Sequence, residues 1–155
     1  MRWLLVLMLG CAAQQHPAPN PVLASVEASL DLEGKLVGHT DKPTVLVWFA
    51  SWCRYCHQEL AVLNELQQVY HFRLLGLNYR GHEEYAGRGS PAALTAYLAA
   101  NAPWLRVVPA DDALFAAFAR PPKIPMLFFF DEHGAYVAWL PNSSRPRLEN
   151  LLQHM

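Results

Sequence analysis

Thr44-Val45-Leu46-Val47-Trp48-Phe49-Ala50 runs straight into Ser51-Trp52-Cys53-Arg54-Tyr55-Cys56-His57. The first seven residues are almost wholly apolar and β-rich, without the alternation of a half-exposed strand. A strand buried on both faces has that composition, as in a parallel or mixed sheet covered by helices. After Cys53 the pattern turns helical: Leu60, Leu63, Leu66 and Val69 recur with Glu59, Asn64, Gln67 and Gln68 between them. Two cysteines three positions apart therefore sit where a buried strand gives way to a helix.

That placement carries chemistry. A cysteine at a helix N-terminus faces unpaired N–H groups and the positive end of the dipole, both of which favour the thiolate. The thiolate is the attacking species in disulfide exchange. Cys53 is thus the candidate nucleophile, with Arg54 adding positive charge. Cys56, one turn further in, is placed to attack a mixed disulfide and release its other half. Three other readings compete. A structural disulfide inside one helical turn would cross-link almost nothing. Structural zinc needs about four ligands, and there is no second Cys or Cys–His pair. Cys53-x-x-Cys56-His57 is also the pattern of covalent haem attachment, with His57 and either Met126 or another methionine as axial ligands of an electron-transfer protein, but small haem-attaching domains are mainly helical.

Outward from the motif, Phe72–Asn78 reads as a second strand, Ser90-Pro91 opens a helix to about Ala100, and Arg106–Val108 is a short strand. Asp111 or Asp112 caps a brief helix to Phe118. Met126–Phe130 (MLFFF) is another buried strand, turned by Asp131–Gly134 into Ala135–Leu140, and Pro146 opens a last helix. Upstream, Ala28–Leu32 and Leu36–Val37 flank a turn and suggest a small N-terminal β-hairpin. The sum is an α/β fold, a mixed sheet with helices on both faces. A helical crossover makes the strands at 44–50 and 72–78 parallel, and the strand at Met126 is expected antiparallel. Its start then shares a sheet edge with Cys53 and the Tyr79–Gly89 loop. Ile124 is placed to offer backbone to an extended substrate there, with Trp52 and Tyr55 as an apolar rim. The 79–89 loop is long for so small a domain and is a candidate for partner selection.

The chain resembles the thioredoxin superfamily, in Val45–Cys53 followed by Cys56. More narrowly, it resembles the membrane-anchored TlpA/ResA/CcmG-type thiol–disulfide oxidoreductases of the bacterial envelope. The likeness runs from about Ser25 to the C-terminus and takes in Leu30-Asp31-Leu32-Glu33-Gly34-Lys35. It implies a redox-active Cys53–Cys56 disulfide and no other cofactor. It also implies a cis peptide before Pro125, whose place at a strand start is permitted because it need not donate to the ladder. An acid three residues after the inner cysteine, here Glu59, is implied to assist proton transfer at Cys56; i and i+3 share a helix side, and a solvated helix acid is the alternative. The sequence departs from the family in Arg54-Tyr55, where reducing members often have proline, in Ala61, and in the stiff Arg120-Pro121-Pro122-Lys123 approach. Val47 stands where cytoplasmic thioredoxins bury an aspartate.

The N-terminus gives the setting. Arg2, the apolar Trp3–Leu9 and small residues read as an export signal over residues 1–10. Met8-Leu9-Gly10-Cys11 resembles a lipoprotein processing site, which would make Cys11 a lipidated residue. Residues 11–24, with three prolines in QQHPAPNP, read as a tether, leaving 25–155 as the domain. Acylation of Cys11 leaves one cysteine pair from three.

Composition excludes other classes. The 155 residues are 53% apolar and 16% charged, with net charge −1 and no basic run, so disorder and nucleic-acid binding have no footprint. No apolar run approaches the roughly 18–20 residues of a membrane span. His16, His39, His71, His133 and His154 show no ligand spacing. The expectation is a monomeric envelope oxidoreductase, lipid-anchored and facing the periplasm. It would reduce client proteins, for example in cytochrome c maturation, and be recharged by a membrane thiol-transfer reductase; an oxidase or isomerase is the alternative on the same fold.

Overall fold

The computed structural model describes residues 20–155. Helices are α1 (Pro21–Glu27), α2 (Arg54–Tyr70), α3 (Arg80–Glu83), α4 (Pro91–Asn101), α5 (Asp112–Ala117) and α6 (Arg145–Leu152); strands are β1 (Thr44–Trp48), β2 (Arg73–Tyr79), β3 (Arg106–Ala110), β4 (Met126–Phe130) and β5 (Tyr136–Pro141). The strands form one sheet in the order β3-β2-β1-β4-β5. As expected, β1 runs parallel to β2 and antiparallel to β4.

Central β1 is buried at every residue because the sheet has a core on each face. Val45 and Val47 face one core with Leu60, Leu63 and Leu66 of α2, Leu94 of α4 and Leu148 of α6. Leu46 and Trp48 face the other, with Leu23 and Val26 of α1 and Leu114 of α5. This two-sided burial is why the stretch shows no alternation. Side chains cap the helices the sequence pointed to: Ser90 accepts from the Ala93 N–H at 3.1 Å and Asp111 from the Leu114 N–H at 2.8 Å. Gly76 lies against Phe49; a Cβ there would come within 2.7 Å of its ring.

Two expectations are corrected. The folded unit begins before Ser25: Asn20 caps α1 by accepting from the Val22 N–H, Pro21 takes the first helical turn, and Leu23 and Val26 are buried. Proline at the start of a helix loses no hydrogen bond, so Pro21 opens structure where it reads as tether. The N-terminal hairpin is also shorter than two strands: it has one antiparallel bridge, Leu30 to Leu36, with the Asp31 N–H on the Lys35 carbonyl and the Val37 N–H on the Ser29 carbonyl. Asp31 takes the turn's Glu33 and Lys35 N–H groups, and Arg106 of β3 binds Asp31 and the Leu36 and Val37 carbonyls. The Leu32 N–H donates to the Val107 carbonyl. The segment therefore pairs briefly with itself and is fastened as a unit to the β3 edge. The signal-like residues 1–10, Cys11 and the tether as far as Pro19 lie outside the described residues.

Candidate functional site

Cys53 and Cys56 form a disulfide with their Cα atoms 5.2 Å apart. Cys53 is the N-cap of the 17-residue α2, in extended backbone conformation, and its Sγ accepts the Cys56 N–H at 3.2 Å. Cys53 is 5% exposed and Cys56 fully buried. The outer sulfur is the one a partner can touch. On reduction, the Cys56 N–H and the helix terminus both point at Cys53 and stabilise its thiolate.

The three expected segments meet at this edge. Trp48, at the end of β1, pairs with Leu77 of β2 and with Met126 at the start of β4. The Ile124–Pro125 peptide just before Met126 is cis, Pro125 is buried and Ile124 half-buried.

Glu59 is a buried carboxyl, 3% exposed, not a solvated helix acid. One oxygen accepts the Ser143 N–H at 3.2 Å; the other has no hydrogen-bond partner. Burial pushes its pKa from 4.5 up to about 7, with the Ser143 N–H pulling the other way. A carboxyl titrating there can hold or take a proton near neutral pH. The same shift bears on stability. Between about 4.5 and about 7 the folded state keeps a proton that the unfolded chain has lost, so stability falls as pH rises through that window. The full loss, reached above pH 7, is roughly 3 kcal/mol at 1.36 kcal/mol per unit. Urea unfolding of the parent and Glu59→Gln across this range should show a downward slope that the variant lacks; equal slopes would contradict it.

The sequence reading missed the carboxylate that holds the site together. The 79–89 segment is not an open loop: it contains α3 and a 3-10 turn at Tyr85–Gly87, and Glu83 is 2% exposed. Glu83 accepts from the Ser51 N–H at 2.8 Å, from the Ser51 hydroxyl, and from Asn78 Nδ2 at 2.9 Å. The indole N–H of Trp52 donates to the His82 and Glu83 carbonyls at 3.0 and 2.9 Å. Gly89 closes this packing, since a Cβ there would collide with the Glu83 carbonyl and come within 2.9 Å of Trp52. The segment after β2 is thereby fixed to the residues just before Cys53. Burial lowers the pKa of His82, with the nearby Pro121 backbone pulling the other way.

Trp52 lines a cleft together with Tyr85 and Ile124. Tyr55 is 62% exposed and is not among the residues lining that cleft. His57 Nε2 lies 2.7 Å from the Ser51 carbonyl, which requires it to donate, and its ring stacks on Tyr97 at 4.2 Å. Met126 belongs to the core on the opposite sheet face from the cysteines. The structure therefore does not bring His57 and Met126 together as an axial pair. Among the described residues there is no group of three or more His, Cys, Asp or Glu able to hold a metal ion.

No protein-family model and no curated protein matches the sequence. Solved structures do match in three dimensions. A thioredoxin-family thiol:disulfide interchange protein from Chlorobium tepidum superposes with TM-score 0.70 at 18% identity, over 92% of this chain and 98% of its own. The fold is thioredoxin-like. A secreted disulfide oxidoreductase of Mycobacterium tuberculosis, homologous to E. coli DsbE, gives TM-score 0.63 at 17% identity, over 82% of this chain and 94% of that one. The exposed lipoprotein thioredoxin of Streptococcus pneumoniae gives 0.62 at 21% identity, over 82% and 97%. The thioredoxin-like core explains the site's layout: β1 delivers Cys53 to an edge that β4 enters from the other direction, at Ile124 and Pro125.

Proposed function

We propose that the chain is a protein thiol–disulfide oxidoreductase of the bacterial cell envelope that reduces disulfides of client proteins. The observation that carries this is the Cys53–Cys56 disulfide at the start of α2, its outer sulfur accepting the Cys56 N–H. In the reduced protein the Cys53 thiolate attacks one sulfur of a client disulfide. The Cys53–client bond forms, the client S–S bond breaks, and the first client thiolate leaves. Cys56, losing its proton toward Glu59 directly or through water, then attacks Cys53. That closes the disulfide and releases the second client thiolate. Two electrons pass from the dithiol to the client, and a membrane dithiol donor restores the reduced form.

Client reduction in cytochrome c maturation, the lipid anchor at Cys11 and periplasmic exposure belong to the same reading. The anchor and the exposure are supported by the signal-like N-terminus and by the words secreted and exposed lipoprotein used of the M. tuberculosis and S. pneumoniae proteins. Ile124 and Pro125 would present backbone to an extended client segment beside Cys53, with Trp52 at its flank. Among the described residues no helix is long and apolar enough to cross a membrane.

The direct test is reduction of insulin disulfides with a dithiol as electron source. The parent should accelerate it and Cys53→Ser should abolish the acceleration; equal rates for both would refute the proposal. Cys11→Ala should move the protein from the membrane to the soluble fraction, and unchanged fractionation would refute the anchor.

A further inference from the structure

A cleft of about 320 Å³ opens beside the disulfide, lined by Trp52, His82, Tyr85, Pro122, Lys123 and Ile124. It shares Pro122 and Lys123 with a second cleft, of about 360 Å³, lined also by Met126, Phe128 and Trp139. None of the described residues lining either cleft is a carboxylate, and Lys123 lines both.

The charges around this groove are unevenly spent. Arg88 lies 5.1 Å above the Trp52 ring. Arg54, Arg88, Arg120 and Lys123 are all exposed. Among the described residues none of the four forms an ion pair, and neither do Lys42 and Arg147 elsewhere, whereas Lys35, Arg73, Arg80, Arg106 and Arg145 each hold a carboxylate. None of the acids on the same segments lines either cleft; each has other contacts of its own. Glu83 is turned inward onto Ser51 and Asn78, and Glu84 pairs with Arg80. Asp112 accepts from the Tyr79 hydroxyl and Asp111 caps α5. Two exposed cations held by no carboxylate, Arg88 over Trp52 and Lys123 in the lining, thus border the cleft.

We propose that the client segment this site selects is extended and acidic: an apolar side chain enters the cleft between Trp52, Tyr85 and Ile124, and carboxylates flanking the client cysteine meet Arg88 and Lys123. This rests on the exchange reading above and names its substrate class. Exposed ion pairs contribute little to affinity singly. Like-signed charges around a cleft act instead on encounter, raising on-rates about 10-fold to 1000-fold at low salt.

A full-length Cys11→Ala, Cys56→Ala protein keeps Cys53 as its one thiol. It would be mixed with three peptides of equal length, each with one phenylalanine and one cysteine activated as a 2-thiopyridyl disulfide, flanked by glutamate, serine or lysine. The Cys53 thiolate bonds to the peptide sulfur and the thiopyridyl sulfur leaves with the electron pair as pyridine-2-thione, whose absorbance gives the rate. Division by the rate with neutral 2,2′-dithiodipyridine removes any change in Cys53 itself. At low salt the glutamate peptide should react about tenfold faster than the lysine peptide, and the difference should collapse near 1 M salt. Arg88→Glu with Lys123→Glu should reverse the order. Equal normalised rates at low salt, or a faster lysine peptide, would overturn the proposal while leaving the exchange reading in place. A Cys53 that reacts with dithiodipyridine no faster than an ordinary thiol would overturn both.

Discussion

A Cys56→Ala protein should be recovered from cell envelopes covalently joined to its clients through Cys53, in adducts that disappear on reduction. In the parent, Cys56 is the adjacent thiol of the same helical turn, its Cα 5.2 Å from that of Cys53. Well-placed intramolecular groups reach effective concentrations on the order of 10⁵ M, with which a millimolar external thiol cannot compete. Removing Cys56 should therefore lengthen the life of the mixed disulfide at least ~1000-fold. Non-reducing electrophoresis reads this, with Cys53→Ser, Cys56→Ala as the control that forms no adduct. Envelopes that yield no Cys53-dependent adduct would contradict the proposed chemistry.

The second large effect lies at Glu83. Replacing it with alanine leaves the Ser51 N–H, the Ser51 hydroxyl and one Asn78 N–H without their acceptor. Buried donors left unpaired cost about 1–3 kcal/mol each. Asn78 keeps the Phe49 carbonyl at 3.2 Å, so the expected loss is about 4 kcal/mol in urea unfolding. Because α3 also supplies both carbonyls that hold the Trp52 indole, Trp52 fluorescence should respond as well. A loss below about 1 kcal/mol would mean that Glu83 does not clamp the site.

Glu83 also marks where sequence reading stops. The strand at 44–50, the helix from Arg54 and the placement of the cysteines between them are legible because period and composition are local signals. The antiparallel entry of β4 follows from connectivity. Glu83 gives no such signal: it sits among Arg80, His82 and Glu84 in what reads as a solvated loop, and its partners are 5 and 32 residues away. A charged residue's burial depends on donors that only the folded chain assembles. Glu59 is an intermediate case. Helical spacing puts it on the side of Cys56, but nothing in the sequence says that it loses water, which is what moves its pKa. Pro21 misleads because the same residue type suits a tether and a first helical turn. In the 28–38 segment the short self-pairing is legible, but not the tie to Arg106, some 70 residues further on, which takes the Leu36 and Val37 carbonyls.

The most direct measurement is the pH dependence of Cys53 alkylation in the fully reduced protein, followed at that residue by mass spectrometry. Held as the cap of α2 with the Cys56 N–H on its sulfur, Cys53 should ionise with a midpoint well below the roughly 8.5 of a free thiol. A midpoint at or above that value would mean that the helix start does not activate this sulfur.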